Sequence, residues 1–216
     1  MKSMYDVTDA ISYGFMYDLV CNEHKYTPLL GHKVLDLGAH YGFFSLFCAS
    51  HGADVVAYEP DPENYEKLEH AAVTASAIGA GKIKFYKLAV WSSLTHLKLN
   101  RDHHSGTSNV IGTGGSREAE VGTVSLGAAL AEQAEWDCVK MDIEGAEFEI
   151  LPHATDEDLQ KIKYLTLELH PHLLVQPQEK YDALVHKLET NFVVETAAPY
   201  NGMFCKMFCT RKCATS

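Results

Sequence analysis

No apolar run in this chain approaches the ~20 residues that span a bilayer. The amino terminus, Met1-Lys2-Ser3-Met4-Tyr5-Asp6, is too polar for a secretory leader. Both absences point to a cytoplasmic protein without a membrane role. Basic residues are also few: 18 Lys and Arg against 29 Asp and Glu leave a net charge of −11 with histidine neutral. A general binder of phosphate backbones needs a basic face, so nucleic acid is a poor partner. Two local clusters (Lys82, Lys84 and Lys87; Lys206, Arg211 and Lys212) read as solvated surface. Among six cysteines there is no Cys-x-x-Cys pair. Cys48 and Cys138 sit in apolar segments and read as buried thiols, while Cys205, Cys209 and Cys213 step by four, a poor spacing for zinc. No internal repeat or low-complexity segment occurs. What remains is a chain of 216 residues, 46% apolar and 22% charged, the profile of a single globular α/β domain over 1–216.

The stretch that organises the rest is Val34-Leu35-Asp36-Leu37-Gly38-Ala39-His40-Tyr41-Gly42-Phe43. A short apolar run ends near an acid, passes through a turn with two glycines and enters an apolar-periodic segment, which reads as strand, tight turn, helix. Such a turn lets backbone approach a ligand, because glycine has no Cβ and tolerates positive φ. The first amides of the following helix favour a negative group in the same space. A dinucleotide site would show Gly-x-Gly-x-x-Gly; here the spacing is Asp-x-Gly-x-x-x-Gly, which weakens a nucleotide-dependent oxidoreductase. The acid ahead of the first glycine suits a ligand with an ammonium group, such as S-adenosylmethionine. A βα turn with no ligand is the bland alternative. A second strand, Ala53 to Glu59, ends in an acid 17 residues after Gly42, where a carboxylate can accept both hydroxyls of an adenosine ribose. Glu59 as a mere solvated strand end is the competing reading.

Further along, the patterning predicts a helix over about Thr8–Asn22 within an N-terminal cover (1–30). Asp61, Pro62 and Glu63 form a strong helix start, and that helix runs to about Ile78. Lys82 to Leu88 reads as a third strand, with Ala89, Val90 and Trp91 offering an apolar wall to a purine ring. Leu94–Leu99 and Glu120–Val124 read as strands around a long polar loop, Asn100 to Arg117, with a lid and a plain surface loop both open. Ser125 caps a short helix. A fourth strand, Asp137 to Asp142, runs into Ile143-Glu144-Gly145-Ala146-Glu147, and a fifth, Tyr164 to His170, ends in Glu168 and His170. In an open α/β sheet the ligand crevice lies at these strand ends, so Lys140, Asp142 and Glu144 converge with Asp36 and Glu59. Gln178–Glu189 reads as helix, and Asn191–Thr196 and Met203–Thr210 as an antiparallel pair joined at Asn201-Gly202.

These pieces together resemble the FkbM family of S-adenosylmethionine-dependent methyltransferases. The resemblance rests on VLDLGAHYGFFSLFCA (34–49), VVAYEPDPENYEKL (55–68), KLAVW (87–91), WDCVKMDIEGAEFEILP (136–152) and LTLELHP (165–171). It implies a Rossmann-like class I methyltransferase fold: a seven-stranded, mostly parallel sheet of order 3-2-1-4-5-7-6, helices on both faces and an inserted β-hairpin within 94–124. It also implies S-adenosylmethionine as cofactor and a small-molecule or sugar hydroxyl as acceptor. One departure stands out: the family tends to carry Leu-Asp where this chain has Leu126-Gly127, so no catalytic role is transferred to that turn.

On this reading Asp36 and Glu59 bind opposite ends of the cofactor. Gly38, Ala39, His40, Tyr41 and Gly42 line its amino-acid end, and Pro60, Ala89, Val90 and Asp142 complete the site. His170 or Asp142 serves as base, with Glu144, Glu168 and Lys140 as the remaining catalytic candidates. No metal is assigned; the weaker variant places one Mg²⁺ on Asp142, Glu168 and His170. A non-catalytic S-adenosylmethionine-binding or partner-binding module on the same fold is the alternative function.

Overall fold

The computed structural model describes residues 18–77, 81–101, 117–174, 177–196 and 205–213. Most of the helix expected over Thr8–Asn22 lies outside them; its end is a π-helical turn, Asp18–Glu23. The interior of the Asn100–Arg117 loop and the Asn201-Gly202 turn also lie outside the described residues.

Seven strands form the main sheet: β1 (Lys33–Leu37), β2 (Asp54–Tyr58), β3 (Ile83–Tyr86), β7 (Cys138–Met141), β8 (Tyr164–Leu169), β9 (Phe192–Thr196) and β10 (Cys205–Arg211). Their order is β3-β2-β1-β7-β8-β10-β9, with β10 antiparallel to both neighbours. Counted along the sheet strands alone, this is the expected 3-2-1-4-5-7-6. A second sheet holds β4 (Ala89–Trp91), β5 (His96–Arg101) and β6 (Arg117–Ser125) in the order β4-β6-β5. The expected hairpin is its antiparallel β5–β6 pair, running from His96 opposite Gly122 to Arg101 opposite Arg117.

The central strands are buried on both faces, so they read as near-continuous apolar runs. Alternate side chains divide between two layers. Leu35, Leu37, Val139 and Met141 face the larger core with Trp136, Leu167 and Leu184. Val34, Val55 and Cys138 face the other, against Phe44, Phe47 and Cys48 of α1 (Phe43–Ser50). The second layer gains α2 (Pro62–Ala77), which starts where Asp61 Oδ1 accepts hydrogen bonds from Glu63 N at 2.8 Å and Asn64 N at 3.3 Å. The first layer is covered by α3 (Leu126–Leu130), α4 (Glu147–Ile150), α5 (Asp156–Gln160) and α6 (Pro177–Asn191). Ser125 caps α3 by accepting from Ala128 N, and Thr155 caps α5 by accepting from Asp158 N. A Cβ on Gly127 would stand 3.3 Å from Asp158 Oδ2, a tight but not excluded contact.

Register then sets out the functional edge. Leu37 is level with Tyr58 on one side and Met141 on the other, and Met141 is level with Leu167. The residues that follow therefore fall in one row: Gly38, Glu59 and Asp142 just past the ends of their strands, and Glu168 level with them while still within β8, opposite Lys206.

Leu35 is fully buried in the central strand, whereas Val73 is 67% exposed on α2. Leu35→Ala should cost about 2–5 kcal/mol and Val73→Ala within about 0.5 kcal/mol, read from urea unfolding.

Candidate active site

Beyond that row lies a cavity of about 250 Å³. Of the residues singled out from sequence, Gly38, Ala39, His40, Glu59, Pro60, Ala89, Val90, Lys140, Asp142, Glu144 and Glu168 line it. It is a concave site with an apolar wall and a few convergent polar groups, the ordinary form of a small-molecule site.

The floor is backbone. Gly38 has φ +78°, and a Cβ there would fall 1.9 Å from Asp142 O, so β1 and β7 approach too closely for any side chain. His40 is left-handed as well (φ 52°), which aims its amide at Glu59 Oε2, 2.7 Å away. Glu59 Oε1 accepts from Asp61 N at 2.9 Å and Asn64 Nδ2 at 3.4 Å. Burial pushes the Glu59 carboxyl up to about 7, against the opposing pull of these donors.

Several expectations need correction. Asp36 does not face the cavity. It is fully buried, accepts from Ser45 Oγ at 2.6 Å and has Lys140 Nζ 3.3 Å from its Oδ1, so its charge is answered from within the protein. Its Oδ1 has no hydrogen-bond partner among the described residues, and unlike Glu59 it is not among the residues that line the cavity. Gly42 is outside the cavity lining. It caps α1 at φ 81°, and a Cβ there would stand 2.8 Å from Leu68 Cδ1, so this glycine serves helix packing. Tyr41 also lies outside the lining: its ring stacks on His40 and has Lys67 Nζ 3.6 Å above its centroid. His170 sits behind the wall, with Nε2 3.6 Å from Glu144 Oε2 and 3.8 Å from Glu168 Oε1.

Lys140 ties these parts together. Its Nζ donates to Gly38 O at 2.9 Å and stands 3.7 Å from Asp142 Oδ2. Burial opposes its charge, but Asp36 and Asp142 outweigh that and hold its pKa above the ordinary lysine value. Glu147, fully buried, accepts from Ile143 N at 2.8 Å and Gly145 N at 2.9 Å, which fixes the turn carrying Glu144. Glu144 itself has φ 54°, a strained setting of the kind found where a site needs a side chain held in place. Burial lifts its carboxyl to about 7, with His170 pulling the other way. For His170, burial would lower the pKa, yet Glu147, Glu144 and Asp142 together raise it to about 9. An imidazole that holds its proton at neutral pH is a poor base, which disfavours the role expected of His170.

The cavity also takes in Glu23, His24, Asn64 and Ile143, which sequence reasoning did not single out. Asn64 was discoverable, being on the first turn of a helix that starts at the crevice. His24 was not: it follows no pattern, and only the fold brings it 3.3 Å from Thr166 Oγ1. Burial, with Lys140 and Lys206 nearby, lowers its pKa to about 3, so it stays neutral. Among the described residues no helix is long and apolar enough to cross a membrane.

The model of the methyltransferase FkbM domain matches residues 36–191. Among solved structures, a methyltransferase FkbM from Methylobacillus flagellatus KT superposes with a TM-score of 0.56 at 14% identity, covering 83% of this chain and 43% of that one. A TehB-like S-adenosylmethionine-dependent methyltransferase from Corynebacterium glutamicum gives 0.51 at 9% identity, over 88% and 85% of the two chains. A conserved hypothetical protein from Streptococcus pyogenes gives 0.52 at 12% identity, over 90% and 94%. No curated protein matches the sequence. At such identities the structural likeness concerns the fold.

Lys140→Met leaves Asp36 buried without its cation and should lower stability by about 3–5 kcal/mol, whereas Asp36→Asn with Lys140→Met should lose less than that single change. Urea unfolding of the single and double variants measures the difference.

Proposed function

The chain belongs to the FkbM methyltransferase family, and from that premise we propose that it methylates a hydroxyl oxygen of a small molecule or sugar, with S-adenosylmethionine as donor. The observation that carries this reading is the row of strand-end groups on one cavity: the Gly38 floor, the Glu59 carboxylate, and Asp142, Glu144 and Glu168 at the far side. These residues fit the cofactor. Glu59 Oε2, which among the described residues accepts only from His40 N, has a spare lone pair for a ribose hydroxyl. Ala89, Val90 and Ile143 offer an apolar wall for a purine, and the backbone of the Gly38 turn lines the same cavity.

Bound there, S-adenosylmethionine supplies a methyl group already activated by its sulfonium. The protein then has to hold an acceptor hydroxyl in line and remove its proton. Glu144 is the base this site supports best, because it lines the cavity and its pKa of about 7 lets it be ionised, yet basic, near neutral pH. His170, 3.6 Å behind it, is a positioning residue, and Asp142 and Glu168 orient the acceptor. The non-catalytic reading drew on Gly127, which stands beside Asp158 and is not among the residues that line the cavity.

Glu59 gives the test a pH signature. Its raised pKa means the fold favours the protonated carboxyl: that contribution to stability is present below the unfolded value of 4.5 and is lost as pH rises through about 7. Ribose hydroxyls need the ionised form as acceptor. Calorimetry should therefore show affinity for S-adenosylmethionine rising from pH 6 to pH 8. Glu59→Gln should bind about tenfold or more weakly, with a flat profile. Glu144→Gln should keep the affinity but lower formation of S-adenosylhomocysteine with an acceptor by about 10²–10⁴-fold. Unchanged turnover in Glu144→Gln would remove it as the base, and no binding by the parent chain would remove the whole reading.

A further inference from the structure

We propose that Asp142, Glu168 and His170 form a binding site for one divalent cation, Mn²⁺ or Mg²⁺, at the acceptor end of the cavity. Each offers one ligand atom, and the three atoms lie within 4.8 Å of one another. Metal–ligand bonds of about 2.0–2.6 Å allow two ligands of one ion to be no more than about 4–5 Å apart, so this triangle has the right span.

The contacts around His170 are not hydrogen bonds. His170 Nε2 is 3.6 Å from Glu144 Oε2 and 3.8 Å from Glu168 Oε1, beyond hydrogen-bond range. The His170 side chain is nine-tenths buried, and its Nδ1 has no hydrogen-bond partner among the described residues. On the Nδ1 side, Glu147 Oε1 stands 3.9 Å away, itself anchored by two backbone amides. A carboxylate behind one ring nitrogen, with the other turned toward a carboxylate cluster, is the arrangement that orients a metal-binding histidine. An ion bound there would take the place of the proton that the surrounding carboxylates hold on His170, releasing it to solvent.

The neighbouring cations leave the ligand atoms available. Lys206 Nζ takes Glu168 Oε2 at 3.3 Å, so Oε1 is the atom facing His170. Lys140 Nζ lies 3.7 Å from Asp142 Oδ2 while also serving Asp36 and Gly38. Lys140 faces Asp36 and Asp142, Lys206 faces Glu23 and Glu168, and His170 faces Glu144, Glu147 and Glu168. Six carboxylates thus gather around two ammonium groups and one imidazole, an excess of negative charge that a divalent ion would offset. Two carboxylates and one imidazole leave positions open for water or an acceptor oxygen, whose proton the ion would make easier for Glu144 to remove. That last step rests on the methyl-transfer reading; the ion site does not.

The test is a Mn²⁺ titration of the full chain without S-adenosylmethionine, with free Mn²⁺ followed by electron paramagnetic resonance. One saturable site per chain is expected. Glu168→Gln and His170→Asn should each weaken it by about tenfold or more, and Glu59→Gln should not, with circular dichroism checking that each variant is folded. No saturable binding up to millimolar Mn²⁺, or equal affinity in both ligand variants, would overturn the site. Saturable binding without methyl transfer to any acceptor would keep the ion and remove the methyl-transfer reading. Transfer that a chelator leaves unchanged, in a chain that binds no Mn²⁺, would do the reverse.

Discussion

The interaction on which the site depends is the buried pair between Asp36 and Lys140. The two residues are register partners on adjacent parallel strands, so they stand side by side where β1 and β7 end. From there Lys140 reaches the carbonyl of Gly38 and Ser45 of α1 reaches Asp36, so one knot fixes two strands, a turn and a helix. A buried ion pair contributes little net stability because desolvation offsets its attraction, but removing one partner leaves an uncompensated charge. Its role here is to hold geometry: the Gly38 turn cannot shift without exposing one of the two charges to an apolar interior.

With the charge of Asp36 countered by Lys140, the acids that line the cavity are Glu23, Glu59, Asp142, Glu144 and Glu168. Glu59 is tuned by burial toward a pKa at which it can be charged for a ligand, and Glu144 likewise, but their supports differ. Glu59 is held by amides and Asn64, as suits a group that keeps one orientation. Glu144 is held by its own strained backbone and by the Glu147 clamp on either side of it, which leaves its carboxyl facing the cavity and His170. On the proposed reading, distinct binding and reacting ends arise from the same kind of residue in different settings.

Much of the architecture was legible because parallel strands buried on both faces leave apolar runs that stop at acids and glycines. Leu37, Tyr58, Met141 and Leu167 each mark such a stop, and the pairing register makes those stops coincide. The role of each stop was less legible. Gly38 and Gly42 look alike in sequence, yet one lets backbone meet Asp142 and the other lets α1 meet α2. Asp36 looked like a ligand-binding acid because its partner lies about a hundred residues later, and only the strand register reveals the pairing. His170 looked like a base because nothing local to it discloses Glu144 and Glu147 raising its pKa. Spacing reports backbone geometry well and charge compensation poorly, since compensation is a tertiary property.

The most direct measurement is a crystal structure of the chain with S-adenosylhomocysteine. This account predicts the ribose hydroxyls on the Glu59 carboxylate, the sulfur turned toward the Asp142 and Glu144 end, and Asp36 still paired with Lys140 and Ser45. A ligand whose ammonium group sits on the Asp36 carboxylate, or whose ribose lies away from Glu59, would contradict it.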